Sequence, residues 1–412
     1  MRKLALVILT DILEKGKYNN IALNNALAGS NLSTPEKAFV TDLVNGTLRN
    51  LINLDFIINK FSKIPTGKMD SAVLNVLRLS AYQIFHTNTK PHALCNEGVN
   101  LIKTTKYKSA APFVNGILRN ILRSREKISY PQGLVGLSAK YSLPMWIAEY
   151  LSSFLEYGEV EAFAKGSLEI PRLAICINTL KTTPEDLKKL LKNEGAVLEG
   201  NYLSKTAHIG SLSCFKEGLF HVMGNSAIDA VKALNLHPNA IVYDICAAPG
   251  GKSFYAACLM ENKGSIISAD IRDSRIKLIE EGAKRLGISI IRTLKADALK
   301  GGLPENSADF CIADVPCSGL GTLAKKPDIK YTKSMDDIKA MAELQKKILN
   351  TASDYPKKGG YLMYSTCTVS IEENQNNTRW FAKNYPYALM SEKLTMPSSE
   401  ADGFYYAIFR RL

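Results

Sequence analysis

The sequence predicts an open α/β domain with a parallel sheet, preceded by an all-α region and a small α+β unit. Three observations support this prediction. Apolar residues recur at helical spacing through roughly the first 125 residues. Strand-like and helical stretches then alternate as far as residue 225. From Ser226 onward, short apolar runs repeatedly separate helical stretches, a pattern that is typical of a parallel sheet covered on both faces.

The N-terminal part, residues 1–128, is predicted to be entirely helical. Its clearest helix start is Ser33-Thr34-Pro35-Glu36, in which a capping residue precedes a proline at the first turn. Its last helix, from Phe113 to Arg123, places Arg119 and Arg123 one turn apart on the same face. We therefore predict a compact helical domain whose last helix is basic.

The positive charge of the chain is concentrated in this helical part. Residues 1–135 contain 18 Lys and Arg against 8 Asp and Glu, whereas the whole chain contains 52 against 39. A basic domain beside a nearly neutral one favours binding of a polyanion such as nucleic acid, although a solvated basic face has the same composition. The residues that we expect to contact phosphates are Lys103, Lys106, Lys108, Arg119, Arg123 and Arg125.

A short linker is predicted from Ser129 to Gly136, because this stretch combines a proline with two glycines. Residues 138–225 then form the predicted α+β unit. Its main elements are a helix at 144–157, a strand at 173–178 and a helix at 184–194. Thr183 is the expected N-terminal cap of the second helix.

Residues 226–412 are predicted to form the α/β domain. Its strand-like runs are rich in Ile, Val and Tyr, which favour strands. These runs are Ile241–Ile245, Ser265–Ala269, Ser289–Leu294, Phe310–Ala313 and Tyr361–Tyr364. An apolar stripe from Ile338 to Ala352 indicates one of the covering helices.

A glycine-rich turn follows the first of these runs. In the segment Asp244–Lys252 (Asp-Ile-Cys-Ala-Ala-Pro-Gly-Gly-Lys), the glycines allow backbone N–H groups to approach a ligand at a helix start. The spacing matches neither G-x-G-x-x-G nor a P-loop, so a dinucleotide or a P-loop phosphate fits poorly. Asp270, Asp297 and Asp314 end or follow later runs, so with Asp244 four carboxylates are expected in one crevice. Four carboxylates in one crevice favour a cationic cofactor that contains a ribose. Any one of these aspartates taken alone could equally be a helix cap.

Two cysteines, Cys317 and Cys367, follow strand-like runs of the same sheet and are expected to face that crevice. Either is a candidate nucleophile, but a thiol with a pKa of about 8.5 is only slightly ionised at neutral pH and needs local activation. A single cysteine is more often a buried apolar residue. Two beside one glycine-rich turn indicate covalent chemistry in two stages. The eight cysteines include no C-x-x-C pair, so no metal is expected.

The segments Asp244–Lys252, Asp314–Gly319 and Ser365–Thr368 resemble the motifs of the RNA cytosine-5 methyltransferases of the Fmu/Sun group. The resemblance extends over nearly the whole chain. The basic helical part is similar to NusB-like RNA-binding domains, most clearly at Phe113-Val114-Asn115 and Leu118-Arg119. The resemblance implies an α/β Rossmann-like class I methyltransferase domain, an all-α NusB-like N-terminal domain and a small α+β intermediate domain.

The resemblance also implies that the cofactor is S-adenosyl-L-methionine. The residues that it places around the methionine end are Cys246, Ala247, Ala248, Pro249, Gly250, Gly251 and Lys252. It places Asp270 at the ribose, Asp297 by the adenine and Asp314 near both the cofactor and the base. Cys367 is then expected to attack C6 of a cytosine, and Cys317 to assist release of the covalent adduct. Asp314 is expected to bond the ring near N3, and Lys252 to orient Cys367 or the base.

The chain departs from the family pattern at two places. Met223-Gly224 replaces a Gln-Asp pair that often precedes the catalytic domain, and Cys176 replaces an Arg that is common before the Ile-Asn pair. Both places lie outside the catalytic motifs. They therefore bear on substrate choice or on packing more than on the type of reaction.

The expected function is methyl transfer to C5 of a cytosine in ribosomal RNA, with 16S rRNA favoured. Naked RNA and a partly assembled small ribosomal subunit both remain open as substrates. Three alternatives also remain: a tRNA or another RNA as substrate, a DNA methyltransferase with Cys317 as nucleophile, and a silent RNA-binding assembly or antitermination factor. No segment suits a membrane anchor, so we expect the protein to be cytoplasmic. We also expect it to be a monomer.

Overall fold

The computed structural model describes residues 1–87, 91–206 and 208–412. The chain divides into two compact units. The helical unit consists of Met1–Glu169 together with a second segment, Leu323–Thr332. The catalytic unit consists of Ile170–Thr322 and Lys333–Leu412. Among the described residues, no helix combines the length and the apolar character that crossing a bilayer requires.

The first segment of the helical unit is built from helices, as predicted. They are α1 (Arg2–Lys15), α2 (Asn19–Ala28), α3 (Thr34–Arg49), α4 (Leu51–Phe61), α5 (Ser71–His86), α6 (Pro91–Lys103), α7 (Ala111–Ser124), α8 (Gly133–Tyr141), α9 (Met145–Ser152) and α10 (Tyr157–Gly166). A continuous apolar core joins α1 to α7. The predicted start of α3 is confirmed, because Ser33 and Glu36 form a reciprocal capping box there.

The helical unit continues past the predicted linker. Helix α8 begins at Gly133, inside the stretch expected to be irregular. The hydroxyl of Ser142, which follows α8, accepts the amides of Ile52 and Asn53 at 2.8 and 3.1 Å, and the Asn53 side chain donates to Ala139 O. These bonds tie α8 to α4, so the compact unit ends at Glu169 rather than near residue 128. The division of roles among three domains stays a prediction.

The catalytic unit begins with a small antiparallel sheet of four strands in the order β2-β3-β1-β4. The strands are β1 (Leu173–Ile177), β2 (Val197–Glu199), β3 (Tyr202–Ser204) and β4 (Phe220–Val222). Helix α11 (Pro184–Asn193) packs on this sheet, and the Thr183 hydroxyl accepts the amide of Asp186 at its start, which confirms the predicted cap. A one-turn helix, α12 (Ser213–Lys216), precedes β4.

A large sheet of seven strands follows, in the order β10-β11-β9-β8-β5-β6-β7. The strands are β5 (Ile241–Asp244), β6 (Ser265–Asp270), β7 (Ile291–Lys295), β8 (Ala308–Asp314), β9 (Pro356–Thr366), β10 (Tyr387–Thr395) and β11 (Phe404–Arg411). The five predicted strands are present and parallel. The sheet is mixed, because two further strands extend it and β11 pairs antiparallel with both β9 and β10.

Helices cover both faces of this sheet. They are α13 (Asn225–Lys232), α14 (Gly251–Leu259), α15 (Asp273–Leu286), α16 (Met335–Ala352) and α17 (Asn377–Asn384). One apolar core lies under α13 to α15 and another under α16 and α17. Strand β5 lies between β6 and β8, so the order of the strands reverses there. Ligands of open α/β sheets bind at the carboxyl ends of the strands at such a switch point.

Candidate active site

The glycine-rich turn connects β5 to α14 at this switch point. Gly250 has a φ of +107°, and a Cβ on it would lie 2.4 Å from Cζ of Phe254, so a side chain is excluded there. The Gly250 amide donates to Ala247 O at 2.7 Å, and the Ala247 amide donates to Ala269 O at 2.9 Å. The turn is therefore held both internally and against the end of β6.

Asp244 does not face a ligand, which corrects the expectation of four carboxylates in the crevice. Its side chain is fully buried and accepts a 2.7 Å hydrogen bond from the Ser253 hydroxyl. Ser253 in turn accepts one from Ser268. Burial raises the pKa of Asp244 to about 7. This carboxyl group stabilises the start of α14 from inside the protein.

Asp270, Asp297 and Asp314 lie at the carboxyl ends of β6, β7 and β8, as predicted. Asp270 is only 5% exposed, and its Oδ1 accepts the Arg272 amide at 3.1 Å. Its Oδ2 lies 3.8 Å from the guanidinium group of Arg275, so this oxygen keeps acceptor capacity. Asp297 accepts the amide of Leu299 at 3.0 Å.

The two predicted thiols lie together. The Sγ atoms of Cys317 and Cys367 are 3.2 Å apart, within hydrogen-bond distance, and both residues are partly exposed. The hydrogen bond to Cys367, followed by burial, raises the pKa of Cys317 well above its ordinary value. The two thiols therefore share one hydrogen bond, in which either sulfur can be the donor.

A lysine and an aspartate lie beside this pair. Lys252 Nζ is 2.5 Å from Asp314 Oδ2, and it also stands 5.4 Å from the centre of the Phe404 ring. Burial lowers the pKa of Lys252, but the charge and hydrogen bond of Asp314 outweigh it and the pKa is raised. Cys367 raises it further, so an ammonium group lies within electrostatic range of that sulfur.

Two residues that sequence reasoning did not assign to the site hold these groups in place. Ser365 is the register partner of Asp314 across β8 and β9, and its hydroxyl donates to Asp314 Oδ1 at 2.7 Å. Glu373 is fully buried and accepts the Ser318 amide at 2.8 Å and Gln345 Nε2 at 2.9 Å. Because Ser318 follows Cys317, Glu373 fixes the turn that carries this thiol. The sequence signals for Glu373 are its position six residues after Cys367 and the resemblance of Glu373-Asn374 to the family pattern.

The other six cysteines lie outside this pair of sulfurs. Burial raises the pKa values of Cys95, Cys176, Cys214, Cys246, Cys258 and Cys311. Cys246, in the glycine-rich turn, is therefore a neutral thiol rather than a nucleophile. Within the described ranges of the chain, no group of His, Cys, Asp and Glu residues is arranged to hold a metal ion.

In the helical unit, the six predicted phosphate-contacting residues are all exposed. Arg119 and Arg123 on α7 line one cavity of about 340 Å³, together with Cys95 and Asn96 of α6. Helix α6 ends at Lys103, and Lys106 and Lys108 follow it. The ammonium group of Lys106 lies 5.0 Å from the centre of the Tyr107 ring. Arg125 lies 3.7 Å from Glu126.

Comparisons with known proteins identify the family. Residues 231–403 match the family described as 16S rRNA methyltransferase RsmB/F, and residues 1–123 match the NusB family. The probable ribosomal RNA small subunit methyltransferase B of Bacillus subtilis is 34% identical over 94% of this chain and 89% of its own length. This chain belongs to the RsmB/F methyltransferase family.

Two further comparisons agree with this assignment. The probable ribosomal RNA small subunit methyltransferase B of Synechocystis sp. is 32% identical over 93% of this chain and 89% of its own length. The crystal structure of PH0851 is 25% identical, with a TM-score of 0.78 over 99% of this chain and 97% of that one. The chain is thus an S-adenosylmethionine-dependent methyltransferase with a NusB-like helical part and a Rossmann-like catalytic sheet.

Proposed function

We propose that this chain transfers a methyl group from S-adenosylmethionine to C5 of a cytosine in 16S rRNA. The observation that carries the proposal is the pair of sulfur atoms 3.2 Å apart, beside the ion pair of Lys252 and Asp314. A pyrimidine C5 is a weak nucleophile, and attack of a thiolate at C6 activates it. The relatives are named as probable ribosomal RNA small subunit methyltransferases, which supports the choice of RNA.

The residues of the crevice fit the cofactor. The Asp270 carboxylate, with one oxygen left as an acceptor, would receive the ribose hydroxyls. The turn Cys246–Lys252 would surround the methionine part, and Asp297 would lie by the adenine. Asp314 would lie between the cofactor and the base. When bound, S-adenosylmethionine supplies an electrophilic methyl group.

Cys367 is the proposed nucleophile. Of the two sulfurs, Cys367 is the one that lies within electrostatic range of the Lys252 ammonium group. A nearby cation favours the thiolate form of a cysteine. In the rival arrangement Cys317 attacks, as in DNA methyltransferases, although the hydrogen bond to Cys367 and burial raise the pKa of Cys317.

The reaction then proceeds in two stages. The Cys367 sulfur forms a bond to C6, while Asp314 bonds the ring near N3 and favours its protonation as electrons move towards C5. Cys317 gives up its own thiol proton to solvent, and after C5 has gained the methyl group the Cys317 thiolate takes the proton from C5 while N3 returns the proton that it gained. The bond between Cys367 and C6 breaks, and the ring recovers its double bond. Lys252 keeps Asp314 in position and favours the returning Cys367 thiolate.

RNA binding is proposed for the basic residues of the helical unit. Their exposed guanidinium and ammonium groups would contact phosphates, which position an RNA without reading its sequence. The catalytic unit would then receive a flipped cytosine at the edge of its sheet. A cytosine of tRNA or of a partly assembled small subunit would suit the same chemistry.

The experiment that tests the mechanism compares two single cysteine variants on 16S rRNA. Cys367→Ala should abolish methylation and also covalent trapping on RNA that contains 5-fluorocytosine. Cys317→Ala should retain attack but release the product slowly, so that a covalent adduct with ordinary RNA accumulates on denaturing gels. Cys214→Ala, which alters a buried thiol outside the crevice, serves as the control and should form no such adduct.

Two outcomes would contradict the proposal. If the Cys317 variant failed to trap while the Cys367 variant still trapped, the roles would be reversed. If neither RNA nor DNA substrates were methylated by the intact protein under conditions where it binds RNA, the chain would be an RNA-binding assembly factor instead.

A further inference from the structure

The small sheet of the catalytic unit carries a buried histidine against the cofactor turn. His221 lies in β4 opposite Cys176 of β1, and it is only 4% exposed. Its Nε2 atom is 3.1 Å from the carbonyl oxygen of Gly251, the first residue of α14. A side chain outside the methyltransferase motifs thus bonds the backbone of the glycine-rich turn directly.

A second contact joins the same ring to the turn. The imidazole packs edge-on against the Phe254 ring, with centroids 5.6 Å apart and planes at 85°. The Phe254 ring lies against Gly250, with its Cζ 2.4 Å from the position of a Cβ on this glycine. Met223, next but one after His221, lies 4.0 Å from the position of a Cβ on Gly251. Strand β4 and the residue after it therefore support both glycines of the turn.

The surroundings of His221 define its protonation. A carbonyl oxygen only accepts hydrogen bonds, so Nε2 carries the hydrogen and Nδ1 carries a lone pair. Within the described part of the chain, that buried Nδ1 atom has no hydrogen-bond partner. Burial lowers the pKa of His221 to about 4, so the ring is neutral at physiological pH. The neutral ring is thus buried although its Nδ1 atom has no partner there. This cost indicates that the hydrogen bond from Nε2 is needed at this position.

We propose that His221 is a positioning residue for the cofactor, which fixes the glycine-rich turn in its binding conformation through the bond to Gly251. Two residues at the departures from the family pattern, Cys176 and Met223, belong to the same buried cluster as His221's neighbour Phe254. They pack behind the cofactor turn rather than contact RNA. The inference rests on the proposed placement of the cofactor at this turn.

The test is calorimetric titration of the full-length protein with S-adenosylmethionine, without RNA. His221→Phe keeps a ring against Phe254 but removes the donor, and should weaken binding about three- to tenfold, the effect of one lost neutral hydrogen bond. His221→Gln places an amide donor near the position of Nε2 and should restore affinity to within about twofold. Thermal unfolding of both variants is measured in parallel.

The matched control is His237→Phe. His237 is an exposed histidine of the same unit that also packs edge-on against a phenylalanine, Phe310, at 5.6 Å, but it does not touch the turn. This variant should bind the cofactor normally. A similar loss of affinity in His221→Phe, His221→Gln and His237→Phe, in proportion to lost thermal stability, would overturn the positioning role.

The failure of the underlying site proposal is recognised separately. Asp270→Ala should weaken binding whether or not His221 matters, because it acts on the ribose. If Asp270→Ala binds weakly and His221→Phe binds normally, the cofactor lies at the turn and the inference about His221 is wrong. If Asp270→Ala binds normally, the placement of the cofactor itself is wrong.

Discussion

Charge at the active site is arranged around one ammonium group. Lys252 bonds Asp314 and lies near Cys367, while Ser365 occupies the second oxygen of Asp314. Both Asp314 oxygens therefore have a partner before any substrate binds, which holds the carboxylate in one orientation. Such preorganisation lowers the cost of stabilising charge that develops during the reaction. Asp270, at the end of β6, differs from Asp314 because its Oδ2 atom keeps acceptor capacity for a ligand.

Asp270 provides the sharpest prediction at this scale. Asp270→Ala should weaken S-adenosylmethionine binding by about 1–3 kcal/mol, because two ribose hydroxyls lose their acceptor in a site where water replaces it poorly. Calorimetry of the purified protein measures the change. Asp273→Ala is the matched control, since Asp273 begins α15 three residues later and forms an ion pair with the exposed Lys295. Equal affinities of the two variants would contradict the ribose assignment.

At the scale of elements, the sequence allowed the parallel strands and most helices to be predicted, because each carries its own periodicity and its own turn residues. Strands β10 and β11 were not predicted. Tyr387–Thr395 is exposed along most of its length, so it lacks the apolar run that marks a buried strand. The pairing of Asp314 with Ser365 was also beyond prediction, because register depends on how two distant strands align.

Helix α7 provides the prediction at this scale. If Arg119 and Arg123 bind phosphates, replacing both with Ala should reduce the log–log salt slope of RNA binding by about 1.5 units, because each contact releases roughly 0.7–0.9 counterions. Single-turnover methylation at saturating RNA should be nearly unchanged. Filter binding across a salt series measures the slope.

The control for this helix removes the same charge elsewhere. Lys15 and Lys17 both pair with Asp11, at 2.7 and 2.6 Å, so Lys15→Ala with Lys17→Ala changes the net charge equally but leaves α7 intact. The slope of this control should stay close to that of the original protein. An equal decrease in both double variants would show that overall charge, rather than α7, governs binding.

At the scale of the whole molecule, the chain does not follow the contiguous domains that the sequence predicts. The ten residues Leu323–Thr332 begin six residues after Cys317. They belong to the helical unit, although the residues on either side of them belong to the catalytic unit. Arg49 donates to Ala324 O at 2.9 Å, and Tyr331 donates to Leu48 O at 2.8 Å. No local pattern distinguishes this segment from an ordinary loop, because its partners lie almost 300 positions away in the chain.

Lys330 is the central contact of this segment. Its side chain is 1% exposed, and Nζ donates to Arg49 O at 3.1 Å and to Ser142 O at 3.0 Å. A neutral amine has two N–H donors, which matches these two acceptors. Burial, assisted by the charge of Arg49, lowers the pKa of Lys330 to about 7 from an ordinary value of 10.5. The helical unit is therefore expected to fold around a lysine that is largely uncharged above neutral pH.

This shift makes the stability of the helical unit dependent on pH. Between pH 7 and 10.5 the unfolded chain holds a proton on Lys330 that the folded unit releases. The free energy of unfolding should then rise with pH through this window, by at most about 1.4 kcal/mol per unit, and this contribution should be constant below pH 7. Lys330→Met should lose this rise. Urea unfolding at several pH values from 6 to 10 measures the difference.

One tryptophan in each unit makes the measurement selective. Trp146 lies in α9 of the helical unit and Trp380 lies in α17 of the catalytic unit, and the chain has only these two. In a Trp380→Phe background, the fluorescence of Trp146 follows the helical unit alone. Lys68→Met, which replaces an exposed lysine of the same unit, controls for the loss of a charge and should keep the rise. If Lys330→Met and Lys68→Met showed the same dependence on pH, Lys330 would be charged in the folded protein and the proposed neutral contact would be wrong.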